Sequence, residues 1–178
     1  AQARCQMMAL QKVRDFKRVL VYSLVGMDEY VAEMSETLGV DVIAKTSAQD
    51  VVRESEIVVT TTPAKKPYLK AEWLHPGLHI TAMGSDADVL SRADLYICDS
   101  RKQAFRLGEA HHAQVAGSLS KDESVELGEL TSASHPGRSA DEEITICDLT
   151  GTGMQDTVIA TLAYQKALDK GMGLEIES

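Results

Sequence analysis

Apolar positions recur at helical spacing from Ala1 to Arg14, where Met7, Met8, Leu10 and Val13 sit among strong helix formers. A short buried-strand run follows over Arg18 to Ser23. Tyr30, Val31, Met34 and Leu38 then fall on one face of a helix predicted over Met27 to Leu38, with Gly39 as its stop. Val40 to Ala44 reads as the next strand, and Ser47 as the cap of a helix running to Glu54. Ile57 to Thr60 is a strand that continues into Thr61-Thr62-Pro63, where proline ends it. Further strands are expected over Leu78 to Met83, Leu95 to Cys98 and Ile144 to Cys147. Arg101 to Gly117 reads as one helix, and Thr152 to Lys170 as a long final one. Ser118 to Glu143 is polar and turn-rich around His135-Pro136-Gly137, and its pattern assigns no element.

Strands that alternate with helices at this spacing pair in parallel through crossover helices. The expected fold class is therefore α/β, a doubly wound, Rossmann-like parallel sheet. Ligands of such sheets bind beyond the carboxyl ends of the strands. Those ends carry Tyr22-Ser23, Thr60 to Pro63, Met83-Gly84-Ser85-Asp86, Cys98-Asp99 and Asp148 to Gly153. Small hydroxylated residues and glycines let a ligand approach the backbone, and they serve equally in ordinary turns. Asp86 fits two roles on its residues alone. It can cap a helix, or it can hold a substrate amine or steer a water from a strand end. Thr150-Gly151-Thr152-Gly153 likewise reads as a tight turn or as a ligand-approach loop. Ile97-Cys98-Asp99 and Ile146-Cys147-Asp148 echo one another, too briefly to be a repeat.

Composition narrows the function classes. The 178 residues suit one domain of ordinary size, and a chain of this length buries a core without disulfides or metal. A net charge of −9 with no basic cluster argues against nucleic acid and against an anionic membrane surface. Cys5, Cys98 and Cys147 lie far apart, with no zinc-type spacing, so no metal site is expected and a reducing cytoplasm is the simplest setting. Cys98 and Cys147 are expected to be buried and inert, and His111-His112 to be an exposed helical pair. No apolar run approaches membrane-spanning length.

Several segments together resemble the nucleotide-binding half of the ornithine cyclodeaminase/mu-crystallin family. They are Ala1-Gln2-Ala3-Arg4, similar to the tail of a glycine-rich loop, then Val59 to Pro63, Ile80 to Ala87, Ala93 to Ala104 and Ile144 to Ala160. The wording is closest to members of ectoine utilisation. The resemblance implies a bound NAD or NADP, with the phosphate-binding glycine loop expected just before Ala1. It implies that Gln2, Ala3, Tyr22, Ser23, Thr61, Thr62, Pro63, Met83, Gly84, Ser85, Thr150, Gly151, Thr152 and Gly153 line the cofactor, and that Asp86 is the catalytic aspartate. An acid that would bind the ribose hydroxyls of NAD is missing at Tyr22-Ser23-Leu24, as is the arginine that often follows serine in phosphate-binding relatives, so NAD and NADP both remain open.

The same resemblance divides the chain into a dinucleotide-binding unit over residues 1–155 and a C-terminal helix, 156–178. That helix would lead back to a second domain, built with an N-terminal half outside this sequence, that binds substrate and forms a homodimer. The lysine and arginine that hold a substrate carboxylate would come from that half. Two loops are shorter than in the family, at Ser23 to Gly26 and at Asp86-Ala87-Asp88, and residues missing at these joins are expected to account for it. The implied activity is cyclodeamination of a small, ornithine-like diamino acid to proline and ammonia. An amino-acid dehydrogenase, a cyclic-imine reductase and a non-catalytic dinucleotide-binding protein of the mu-crystallin type are the alternatives.

Overall fold

The computed structural model describes residues 1–62, 68–82, 87–107 and 109–174. Helix α1 (Gln2–Leu10) leads to β1 (Arg18–Val21), α2 (Met27–Leu38), β2 (Asp41–Ala44) and α3 (Ala48–Glu54). Next come β3 (Ile57–Thr60), β4 (His79–Ala82), α4 (Ala87–Leu90) and β5 (Leu95–Cys98). Helices α5 (Arg101–Leu107) and α6 (Glu109–Val115) precede β6 (Val125–Glu126), α7 (Leu127–Thr131), β7 (Thr145–Asp148) and α8 (Gly153–Asp169).

Local chemistry accounts for many of these boundaries. Helix α2 places Tyr30, Met34 and Leu38 inward and ends at Gly39, whose φ of 67° is left-handed and whose N–H donates to the Ser35 carbonyl. Helix α3 starts at Ser47, whose hydroxyl accepts from the Asp50 N–H at 3.1 Å. The helix expected over Ala1 to Arg14 is shorter than its apolar pattern suggests and ends at Leu10, in a turn. The helix expected over Arg101 to Gly117 is represented among the described residues by α5 and α6, and Gly108 between them lies outside the described residues.

Every strand pairing among the described residues is parallel. The strands form a two-stranded sheet, β1-β2, and a five-stranded sheet in the order β3-β4-β7-β5-β6. Strand β7, the last in sequence, lies between β4 and β5, so the chain crosses the sheet to enter its centre. The fold is thus the α/β, Rossmann-like parallel sheet expected from the sequence.

Two apolar clusters hold the molecule. The larger one packs Leu78, Ile80, Val89, Leu90, Tyr96, Cys98, Ala104, Ala110 and Ile146 between the five-stranded sheet and its helices. The smaller gathers Tyr30, Met34, Leu38 and Val42, with Ala3 and Met7 of α1 against them. Helix α1 also contacts β3, which links the two sheets. The Gln11 side chain donates to the Leu38 carbonyl, and Arg4 forms a bidentate pair with Glu33, fastening α1 to α2. Helix α8 is different: none of its side chains is buried, and Met154, Val158, Ile159, Leu162, Tyr164 and Leu168 are all exposed. No helix among the described residues is long and apolar enough to cross a membrane.

Candidate functional site

Parallel pairing fixes which strand ends meet. Thr60 lies opposite Ala82, and Ala82 opposite Asp148, so the carboxyl ends of β3, β4 and β7 stand side by side. Thr61 and Thr62 extend from the first, and Leu149 to Gly153 from the last. The sheet therefore brings the Thr61-Thr62 and Thr150–Gly153 segments to one edge. Tyr22 and Ser23 leave the end of β1 in the other sheet, and α1 contacts β3 between the two sheets. There, Ser23 turns back on itself, its hydroxyl donating to the Val25 carbonyl at 2.8 Å. Gln2 and Ala3 open α1, whose N-cap residue Ala1 makes no side-chain cap bond and whose first turn contains no acid. Asp86 and its companions Pro63, Met83, Gly84 and Ser85 lie outside the described residues.

The Thr150–Gly153 segment is the most fully described part of this edge. Asp99, the residue just past β5, accepts three hydrogen bonds. The Ser100 N–H donates to Oδ1 at 2.9 Å, the Thr150 hydroxyl to the same oxygen at 2.8 Å, and the Gly151 N–H to Oδ2 at 2.6 Å. From α5, the Gln103 amide donates to the Gly151 carbonyl at 2.6 Å. Gly151 adopts φ 81°, which favours glycine, and a Cβ there or at Gly153 would meet nothing within 4 Å. The loop backbone thus faces open space. Thr152 and Gln155 then form a capping box that starts α8. Turn and cap coexist in these four residues, and the glycine backbone between them is open.

Beneath the edge lies a second polar arrangement. Asp148 is buried, and the Tyr96 hydroxyl donates to its Oδ2 at 2.9 Å. Burial, then the Asp148 charge, pushes the Tyr96 phenol far above its usual range, so it remains a neutral donor. On β6 and α7, the Glu126 side chain accepts from the Arg101 N–H at 2.7 Å, while Arg101 pairs with Glu129 at 2.8 Å and donates to the Ser124 carbonyl. This network anchors the polar stretch to which the sequence pattern assigned no element.

The sequence reading placed Asp99 and Asp148 at strand ends without giving either a role, and it did not single out Gln103. The available signal was an aspartate immediately after an apolar strand. Its partners lie about fifty positions away, beyond the reach of local pattern. Cys98 and Cys147 are buried as expected. Burial first, and neighbouring acids next, push their thiols up to about 12 and about 11, which makes them poor nucleophiles. His111 and His112 are exposed on α6, and no group of metal-ligating side chains occurs among the described residues.

A parallel sheet with crossover helices and an open edge at the carboxyl ends of its strands is the architecture of the doubly wound, Rossmann-like class of α/β proteins. The chain belongs to the ornithine cyclodeaminase/mu-crystallin family, whose model matches residues 1–171. It is similar to an uncharacterized cyclodeaminase of Sinorhizobium fredii, 44% identical over 191 residues that cover 99% of this chain and 57% of the relative. The solved Thermococcus litoralis Δ1-pyrroline-2-carboxylate reductase, in complex with NADH and L-proline, superposes with a TM-score of 0.92. It is 28% identical, and the match covers 98% of this chain and 58% of that one. An archaeal alanine dehydrogenase dimer with bound NAD gives a TM-score of 0.88 at 33% identity, over 99% of this chain and 57% of that one. This chain therefore spans little more than half the length of these relatives.

Proposed function

We propose that the protein is a NAD(P)-dependent enzyme that works on the carbon–nitrogen bond at the α carbon of a small amino acid or cyclic imine. The observation that carries this reading is the shared carboxyl edge, where Thr61-Thr62 and the pinned Thr150–Gly153 loop flank the end of β4. The residues fit a nicotinamide dinucleotide: hydroxyls for its sugars, an open glycine backbone along its length, and an α1 start free of acid, suited to phosphate. Pro63, Met83, Gly84 and Ser85 complete the proposed cofactor set. When bound, the cofactor supplies hydride acceptance and donation.

The remaining chemistry falls to the chain. In the leading form, cyclodeamination of an ornithine-like diamino acid, loss of hydride from the α carbon gives an imine. The side-chain amine attacks it, ammonia leaves, and the cyclic imine regains the hydride to give proline, with no net change in cofactor. Asp86 is proposed to hold the distal amine or to activate a water. The relatives' names also favour a second form, simple reduction of a cyclic imine or oxidation of an amino acid. The exposed apolar side of α8 supports the division proposed from sequence, with residues 156–178 leading to a substrate and dimerisation unit.

Product analysis separates these forms. The full-length protein is incubated with ornithine and catalytic NAD, or with pyrroline-2-carboxylate and NADH. Proline and ammonia formed from ornithine without net NADH change support cyclodeamination. Stoichiometric NADH consumption with the imine alone identifies a reductase. No turnover of either substrate, nor of alanine with NAD, refutes the enzymatic reading and favours a binding protein.

A further inference from the structure

We propose that Asp99 is a positioning residue of the cofactor site, holding the β7–α8 loop where the dinucleotide needs it. This inference rests on the cofactor reading above. Asp99 stands at the end of β5, next to β7 in the sheet, and it lies at the carboxyl edge rather than inside the core. Its carboxylate takes a hydroxyl from Thr150 and an N–H from Gly151, the two residues at which the chain turns from the central strand toward α8. Gln103 closes the clamp by donating to the Gly151 carbonyl. Together they tie both polar groups of the Gly151 backbone to β5 and α5.

The Leu149 N–H donates to the Ala82 carbonyl where the loop leaves β7, and the Thr152–Gln155 capping box lies at its far end; between them the clamp is the described attachment of the loop. Helix α8 buries none of its side chains against the described residues, so no packing on its side fixes the loop there. Gly151 has open space around its Cβ position and takes a left-handed φ, so neither packing nor a side chain of its own fixes its place. Among the described residues, the middle of the loop keeps its position through these hydrogen bonds. Three donors converge on one carboxylate, and a charged acceptor makes the strongest such anchor available.

The chemistry singles out a sharp variant. Asp99→Asn keeps size and shape but exchanges one oxygen for an amide nitrogen. With that nitrogen facing Gly151 the loop loses its N–H anchor; with it facing Ser100 the Gly151 and Thr150 contacts persist on a neutral group, and in both orientations the charge that strengthens them is gone. Thr150→Val removes the hydroxyl donor from the other side of the same clamp, and Thr150→Ser restores it.

NADH and NADPH are titrated against the full-length protein by nucleotide fluorescence, with melting temperature followed in parallel. Asp99→Asn is expected to weaken binding about tenfold, the loss of one charge-assisted hydrogen bond. Thr150→Val is expected to weaken it in the same direction, Thr150→Ser to recover most of the loss, and the Asp99→Asn/Thr150→Val double variant to fall short of the summed effects. Nucleotide affinity unchanged in Asp99→Asn, with or without a lower melting temperature, overturns the positioning role and leaves the cofactor reading standing. Absence of saturable binding of either nucleotide to the unsubstituted protein overturns the cofactor reading, and the positioning role with it.

Discussion

Ile97-Cys98-Asp99 and Ile146-Cys147-Asp148 are the same three residues at the ends of two neighbouring parallel strands, and the sheet uses them differently. Ile97 pairs with Cys147 and Cys98 with Asp148, so the triplets are out of step by one residue. Because side chains alternate across a sheet, a one-residue offset reverses every face. Cys98 thus joins the larger apolar cluster, as Ile146 does on the other strand, while Cys147 points to the opposite side. Asp148 remains within the strand, buried, and receives the Tyr96 hydroxyl. Asp99 falls one position past its strand and reaches across to the β7–α8 loop. Register, rather than residue type, thus keeps one aspartate buried within its strand and puts the other at the carboxyl edge, against the β7–α8 loop.

The largest effect is expected at the buried member. Asp148→Ala leaves the Tyr96 hydroxyl facing apolar surroundings and should lower stability by about 2–3 kcal/mol in denaturant unfolding. Tyr96→Phe removes the donor while keeping the ring, which also packs edge-on against Phe105, and should cost about 1–2 kcal/mol. If Asp99→Asn proves as destabilising as Asp148→Ala, the proposed division of roles fails. The expected cost at Asp99 is about 1–1.5 kcal/mol, below that at Asp148, because Asp99 is partly solvated.

The cysteines sharpen the same contrast through pH. Both thiols hold their protons in the folded state to about 12 for Cys98 and about 11 for Cys147. An unfolded cysteine releases its proton near about 8.5. Above that pH the folded state binds more protons than the unfolded state, so stability is complete at neutral pH and declines as pH climbs toward 11 and 12. Urea unfolding at pH 7.5 and pH 10 should show the loss, and Cys98→Ala should reduce its slope more than Cys147→Ala at the highest pH values. In the native protein at pH 8, exposed Cys5 should react with iodoacetamide while the two buried thiols stay unmodified. The smallest effect is expected at Gly151→Ala, about 1 kcal/mol from its left-handed φ alone, since space is free for the methyl group.

The sequence was legible where structure is decided locally. The α2 boundaries, the Gly39 stop, the Ser47 cap and the strands Ile57–Thr60 and Leu95–Cys98 each rest on a periodicity or a capping residue within one or two turns. Strand β6 was not legible because two residues carry no alternation. Helix α7 begins with a capping box built from Glu126 and Glu129, not from the usual serine or threonine, and Arg101 braces it from α5. Of the candidate site, the strand-end segments could be read because fold topology places ligands there. Asp99 and Gln103 could not, since their meaning arises only when β5 and β7 become neighbours across some fifty residues of chain.

The most direct test of the account is hydrogen–deuterium exchange on the full-length protein with and without saturating NADH. Bound NADH should slow exchange in peptides holding Thr61-Thr62 and Leu149 to Met154, at the carboxyl edge, and leave Leu78-His79 and Ile144-Thr145 at the opposite edge unchanged. Protection confined to that opposite edge, or absent from the Leu149 to Met154 peptide while NADH is bound, would contradict it.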